Sequence, residues 1–207
     1  MDAMKNRKKT DRHSVRVVFL GTGDAFGSGG RNQSSYLVEA RTTSFLLDCG
    51  STALLALKRF GIDPCCVDSI LVSHFHGDHI SGLPFFFLEW LYQTRRETGV
   101  VIAGPEGIQE KAEALSRVMY GVGKPEQLRS RLRYEELRPG QTCSLGDIEV
   151  FPFRVPHQID AISLAFKIRV HDKTILYSGD SPWTEADRKS TRLNSSHIQK
   201  SRMPSSA

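Results

Sequence analysis

Between Ser73 and Gly82 the chain reads SHFHGDHISG, and no other stretch restricts its fold as strongly. Four side chains able to ligate a metal, His74, His76, Asp78 and His79, fall within six positions, directly after the apolar run Ile70-Leu71-Val72. In an extended segment, residues two apart point the same way, so His74 and His76 can close on one ion. A turn permitted by Gly77 then aims Asp78 and His79 at a second position. Imidazole nitrogen and carboxylate oxygen are ligands for Zn²⁺, with Mn²⁺ or Fe as substitutes. A single histidine at a strand end is usually packed or solvated. Four such groups at this spacing, at the mouth of a buried strand, read as a metal site.

The remaining residues must build a frame around that strand. A chain of 207 residues, 39% hydrophobic and 25% charged, is long enough for one globular domain with a substantial core. No apolar run approaches the ~20 residues of a membrane span, and no apolar signal segment follows the basic start, so no membrane partner and a cytoplasmic location are expected. Residues 1–14 read as a disordered basic lead-in. From Asp187 the periodicity disappears and the composition shifts. Back-translated, residues 190–197 and 201–207 resemble a common sequencing adapter, so 187–207 is expected to be a non-native tail. That tail holds five basic residues and one acidic one. Without it the formal charge of +5 falls to 23 basic against 22 acidic residues, which removes the case for a nucleic-acid partner based on charge alone. Cys49, Cys65, Cys66 and Cys143 form no CxxC pair, and unpaired thiols in a reducing compartment are the simplest expectation.

Apolar patterning predicts strands over 15–20, 35–39, 44–47, 68–72, 100–103, 134–137, 148–155, 163–170 and 174–178. It predicts helices over 51–60, capped by Ser51 and stopped by Gly61, and over 83–92 and 108–120. The short connection at His171-Asp172-Lys173 predicts a hairpin. Strands interleaved with a few helices, and many adjacent strands late in the chain, predict a layered α/β sandwich.

The SHFHGDH stretch resembles the metal-binding motif of the metallo-β-lactamase-fold hydrolases. Together with Phe19-Leu20-Gly21-Thr22-Gly23, Arg31-Asn32-Gln33-Ser34-Ser35 and Leu47-Asp48-Cys49-Gly50, it is similar to the ribonuclease Z branch over residues 15–186. The resemblance implies an αββα sandwich with an incomplete second half. It implies two divalent ions, Zn²⁺ first, with His74, His76 and His157 on one and Asp78, His79 and Asp180 on the other, Asp180 bridging. Asp48 is expected to orient the motif loop from behind the ligands. Paired cations lower the pKa of a shared water and stabilise charge on attacking and leaving oxygens, so the implied activity is metal-dependent hydrolysis of a phosphodiester by a metal-bridged hydroxide, Asp78 handling its proton.

Ribonuclease Z-type enzymes process the 3′ end of precursor tRNA, but the sequence departs from that pattern. Gly27-Ser28-Gly29-Gly30 replaces the usual Pro and Lys before Arg31-Asn32. Only 22 residues separate His157 from Asp180, too few for the arm that grips tRNA. The expected substrate is therefore a small-molecule or RNA phosphodiester, with tRNA disfavoured. The family's last histidine ligand has no counterpart in 181–186, so a fragment of a longer enzyme is expected. The alternatives are a lactone or thioester hydrolase of the same fold and a non-catalytic metal- or partner-binding module. A homodimer is a candidate assembly.

Overall fold

A computed structural model of the protein describes residues 14–93, 98–121, 128, 130–157 and 161–181 and the backbone of 196–198. In a first sheet, β1 (Arg16–Gly21), β2 (Ser35–Glu39) and β3 (Ser44–Leu47) pair antiparallel. From β3 onward, β4 (Ser69–Leu71), β5 (Val100–Gly104) and β6 (Leu132–Glu136) add in parallel, in the order β1-β2-β3-β4-β5-β6. Parallel neighbours need crossover connections. α1 (Ala53–Arg59) joins β3 to β4, α2 (Gly77–Ile80) and α3 (Leu83–Leu88) join β4 to β5, and α4 (Ile108–Tyr120) joins β5 to β6.

The second sheet holds β7 (Cys143–Leu145), β8 (Ile148–Val155), β9 (Ser163–Val170) and β10 (Lys173–Tyr177), all antiparallel. A short β11 (Ser196–Ile198) lies parallel to β10 and completes the order β11-β10-β9-β8-β7.

Burial follows the strand patterns. β3 and β4 are buried at every position, as strands covered on both faces are. In β9, Leu164, Phe166, Ile168 and Val170 are buried while Lys167 and Arg169 are exposed, the two-residue period of a half-covered sheet. One core, including Leu46, Leu57, Ile70, Phe86, Phe87, Trp90 and Ile108, fills the space between the helices and the first sheet. A second, including Tyr36, Phe45, Leu71, Val150, Phe166 and Tyr177, lies between the sheets. The layers are thus helix, sheet, sheet. Among the described residues no helix covers the outer face of the second sheet.

The expected hairpin at 171–173 is present between β9 and β10. Three local expectations change. The first helix starts at Ala53 with Thr52 at its N-cap and no side-chain cap bond, because the backbone and hydroxyl of Ser51 both donate to Gln33 Oε1 instead. The helix expected over 83–92 gives way after Leu88 to a π-helical turn, Glu89–Gln93. The three-residue β7 was not foreseen. The lead-in expected over 1–14 and the tail expected over 187–207 lie outside the described residues, apart from Ser14 and the backbone of β11. Cys49, Cys65, Cys66 and Cys143 form no disulfide. No helix among the described residues is long and apolar enough to cross a membrane.

Candidate metal centre

Ligands in parallel α/β sheets gather where the strands end at their carboxyl side, and the named residues lie there. β3 runs into Asp48, whose φ of 58° turns the chain, and β4 runs through Val72 and Ser73 into His74. The two strand ends are tied together: Cys49 N donates to His79 O (2.7 Å) and Gly82 N to Cys49 O (2.8 Å). Gly50 permits this approach, since a Cβ there would lie 2.5 Å from Asp78 O and 2.6 Å from Gln33 Cβ. Gln33 braces the same corner through Ser51, and its backbone N–H donates to Thr52 Oγ1. The short motifs that stood apart in the sequence are therefore one connected corner.

The second sheet supplies the remaining groups. His157 follows β8 and Asp180 follows β10. His76 Nδ1 stands 3.1 Å from both His74 Nε2 and His157 Nε2. His79 Nε2 stands 3.3 Å from Asp78 Oδ2 and 3.4 Å from Asp180 Oδ1, while Asp180 Oδ2 is 4.0 Å from His157 Nε2. All six expected ligands converge. Two groupings bring their ligand atoms within 4.8 Å of one another: His74, His76 and His157, and His74, His79 and Asp180. His74 stands within reach of both groupings, whereas the resemblance assigned it to one ion.

Asp48 lies behind these ligands, fully buried. It accepts from Ser73 N (Oδ1, 2.7 Å), Ser73 Oγ (Oδ2, 2.9 Å) and the Tyr177 hydroxyl, and stands 2.5 Å from His79 Nδ1. Burial opposes its charge, yet His79, with His74 and Tyr177, holds its carboxyl below the usual range. Burial likewise opposes charge on His79, but Asp48, Asp180 and Asp78 outweigh it and push the imidazole up to about 11. His74 goes the other way, down to about 3, through burial and then the neighbouring His79.

These residues fit a divalent cation. His79 Nε2 is buried and makes no hydrogen bond although two carboxylate oxygens stand close to it. Carboxylates that favour a proton on that nitrogen favour a cation in its place.

A family model described as Anti-Pycsar protein Apyc1 matches residues 15–199. The chain belongs to this family. The resemblance to the ribonuclease Z branch holds as well: the chain is 33% identical to ribonuclease Z of Methanosarcina mazei over 148 residues, 72% of the chain and 47% of the relative. The chain spans about half the length of the curated relatives it matches. Solved structures that share its fold include the following two. The metallo-β-lactamase fold protein YhfI from Bacillus subtilis superposes with a TM-score of 0.67 at 23% identity, over 84% of this chain and 65% of that one. The short form of human tRNase Z gives 0.61 at 23% identity, over 83% and 71%. The Apyc1-family chain therefore has the metallo-β-lactamase fold.

Ser73 and Tyr177 are the functional candidates that sequence reasoning missed in this family member. Ser73 sits inside the quoted motif and could have been singled out by its place next to His74. Tyr177 ends the apolar strand β10 and reads as one more core aromatic. Gly179, between Tyr177 and Asp180, has φ 57°, and a Cβ there would lie 2.9 Å from Leu164 O and 3.0 Å from Ser73 Cβ. Gly179→Ala is expected to cost about 2–3 kcal/mol, from left-handed backbone strain and crowding. It should also weaken metal retention by displacing Asp180. Urea unfolding with chelator, alongside metal analysis, measures both.

Proposed function

We propose that this chain carries the metal centre of a divalent-metal-dependent phosphodiesterase whose substrate is a small phosphodiester or RNA. The observation that carries this reading is the pair of ligand groupings meeting at His74, with one Asp180 oxygen turned toward His79 and the other toward His157. His74, His76 and His157 would hold one cation, and His79, Asp180 and Asp78, with His74 adjoining, the other. Bound there, divalent cations supply Lewis acidity and acidify water near neutral pH.

The protein's own residues do the rest. His74, His79 and Asp78 form a buried floor, whereas His76 is exposed and His157 partly so, and substrate enters from their side. Asp78, 3.3 Å from His79 Nε2, is placed to receive a proton from the nucleophile. Asp180 joins the two positions by charge. Asp48 holds His79 in place through its Nδ1.

Two considerations favour a phosphodiester over a lactone or thioester: the likeness to ribonuclease Z and the Arg31-to-Ser35 corner braced against the site. A tRNA-gripping arm between His157 and Asp180 has no room, since β9 and β10 take eight and five of the intervening residues. Full chain loaded with Zn²⁺ or Mn²⁺ is expected to hydrolyse bis(p-nitrophenyl) phosphate, to lose that activity in chelator and to regain it with metal. Precursor tRNA should remain uncut. Turnover confined to lactones or thioesters would transfer the reading to a carbonyl-ester hydrolase, and metal uptake without any turnover to a binding module. The family description extends an anti-Pycsar role to this chain on the same footing, to be tested by whether wild type, and not His74→Ala, overcomes Pycsar in cells.

A further inference from the structure

The hydrogen-bond donors around Asp48 determine which nitrogen each histidine offers to the site. The Ser73 hydroxyl carries one proton and gives it to Asp48 Oδ2 at 2.9 Å. Its oxygen is also 3.0 Å from His74 Nδ1, so in that contact the imidazole must donate. His74 then carries its proton on Nδ1 and turns the bare Nε2 toward His76. His79 Nδ1 lies 2.5 Å from the same carboxylate oxygen, which can only accept, so His79 also donates from Nδ1 and leaves Nε2 facing Asp78 and Asp180.

Tyr177 closes the set. Its phenol is buried, and burial together with the Asp48 charge keeps it protonated, so its hydroxyl donates to Asp48 Oδ2. The Ser34 hydroxyl, 3.4 Å away, is left to donate to the Tyr177 oxygen. Tyr177 lies on the second sheet, whereas Asp48 and Ser73 follow strands of the first. Leu164 N, at the start of β9, donates to Ser73 O across the same junction (2.9 Å). One carboxylate therefore gathers both sheets and one histidine of each ligand grouping.

We propose that Ser73 and Tyr177 are positioning residues that, through Asp48, commit His74 and His79 to the Nδ1–H tautomer and turn both Nε2 lone pairs toward the cation positions. The assignment rests on the metal reading given above. It differs from a general packing role in a measurable respect, the tautomer. Residues standing behind metal ligands usually contribute 10–100-fold to affinity.

Imidazole ¹⁵N spectroscopy on the zinc-loaded 207-residue chain reads the tautomers directly, and chelator competition reads affinity. Wild type is expected to show Nδ1–H and a zinc-bound Nε2 at both His74 and His79. In Ser73→Ala, His74 loses its fixed acceptor, and zinc affinity should fall about 10–100-fold. Tyr177→Phe should lower affinity at the His79 position while leaving the His74 tautomer unchanged. A wild-type spectrum with the proton on Nε2 of His74 overturns the proposal, whether or not either variant folds. Zinc binding by both variants within twofold of wild type, with wild-type tautomers, also overturns it while leaving the metal site standing. No zinc uptake by wild type overturns the metal reading together with this one.

Discussion

Asp48→Asn is expected to destabilise the chain by about 3–5 kcal/mol and to weaken metal binding about 10–100-fold. The backbone is not the reason, because asparagine accepts the φ of 58° found at this position as readily as aspartate. The cause is the loss of an acceptor. The Asp48 carboxylate takes bonds from Ser73 N, Ser73 Oγ, His79 Nδ1 and the Tyr177 hydroxyl, all buried. An amide has one acceptor oxygen, and its NH₂ would face donors. The hydroxyls of Ser73 and Tyr177 can rotate, which limits the cost. The Ser73 N–H cannot turn, and His79 can adapt only by presenting a protonated nitrogen to the cation position. Hydrogen bonds to a charged group contribute about 1.5–3 kcal/mol each, so losing two accounts for the figure. Urea unfolding in chelator isolates the stability term, and competition with a chromogenic chelator gives the affinity. A loss below about 1 kcal/mol with unchanged affinity would show that Asp48 is a bystander.

Parts of this centre were legible in the sequence and others were not, for physical reasons. SHFHGDH was legible because all its ligands are local: two-residue spacing and one glycine turn suffice to bring them together. His157 and Asp180 lie 81 and 104 positions beyond His76, and only their places after strands, read through a family resemblance, pointed to them. The start of the first helix was misplaced because Ser51 has the composition of a cap but is taken by Gln33, eighteen residues earlier, a tertiary contact that no local signal carries. Tyr177 was invisible for a related reason. Its ring packs in the core between the sheets, edge-on to Tyr36 at 5.6 Å, and only the hydroxyl at its tip matters to the site. The layered architecture was easier to read, since alternation in β8 and β9 and unbroken burial in β3 and β4 reflect the number of covered faces. The likeness to the ribonuclease Z branch was legible in these motifs, and what they did not single out was the Apyc1 family.

His74→Ala should do more damage than the loss of any other single ligand. Sequence spacing pairs His74 with His76 alone, but its ring centroid is 4.1 Å from that of His79 and 4.6 Å from that of His157. It stands in both ligand groupings with one bare nitrogen, so truncating it takes a ligand from one position and opens a void beside the other. His76 is exposed and belongs to one grouping, and His76→Ala leaves His74, His79 and Asp180 in place. Metal analysis after dialysis should therefore find His76→Ala retaining an ion at the His79–Asp180 position and His74→Ala retaining little at either. Phosphodiester turnover in both should fall by more than the ~10²-fold that loss of an outer partner costs, and further in His74→Ala. Because His74 is fully buried, part of its effect could come from packing, and unfolding in chelator separates the two: a packing loss persists without metal, whereas a ligand loss appears only in the stabilisation that added metal confers. Equal metal content in the two variants would mean that His74 matters to one position only, and its central place between the two would have to be abandoned.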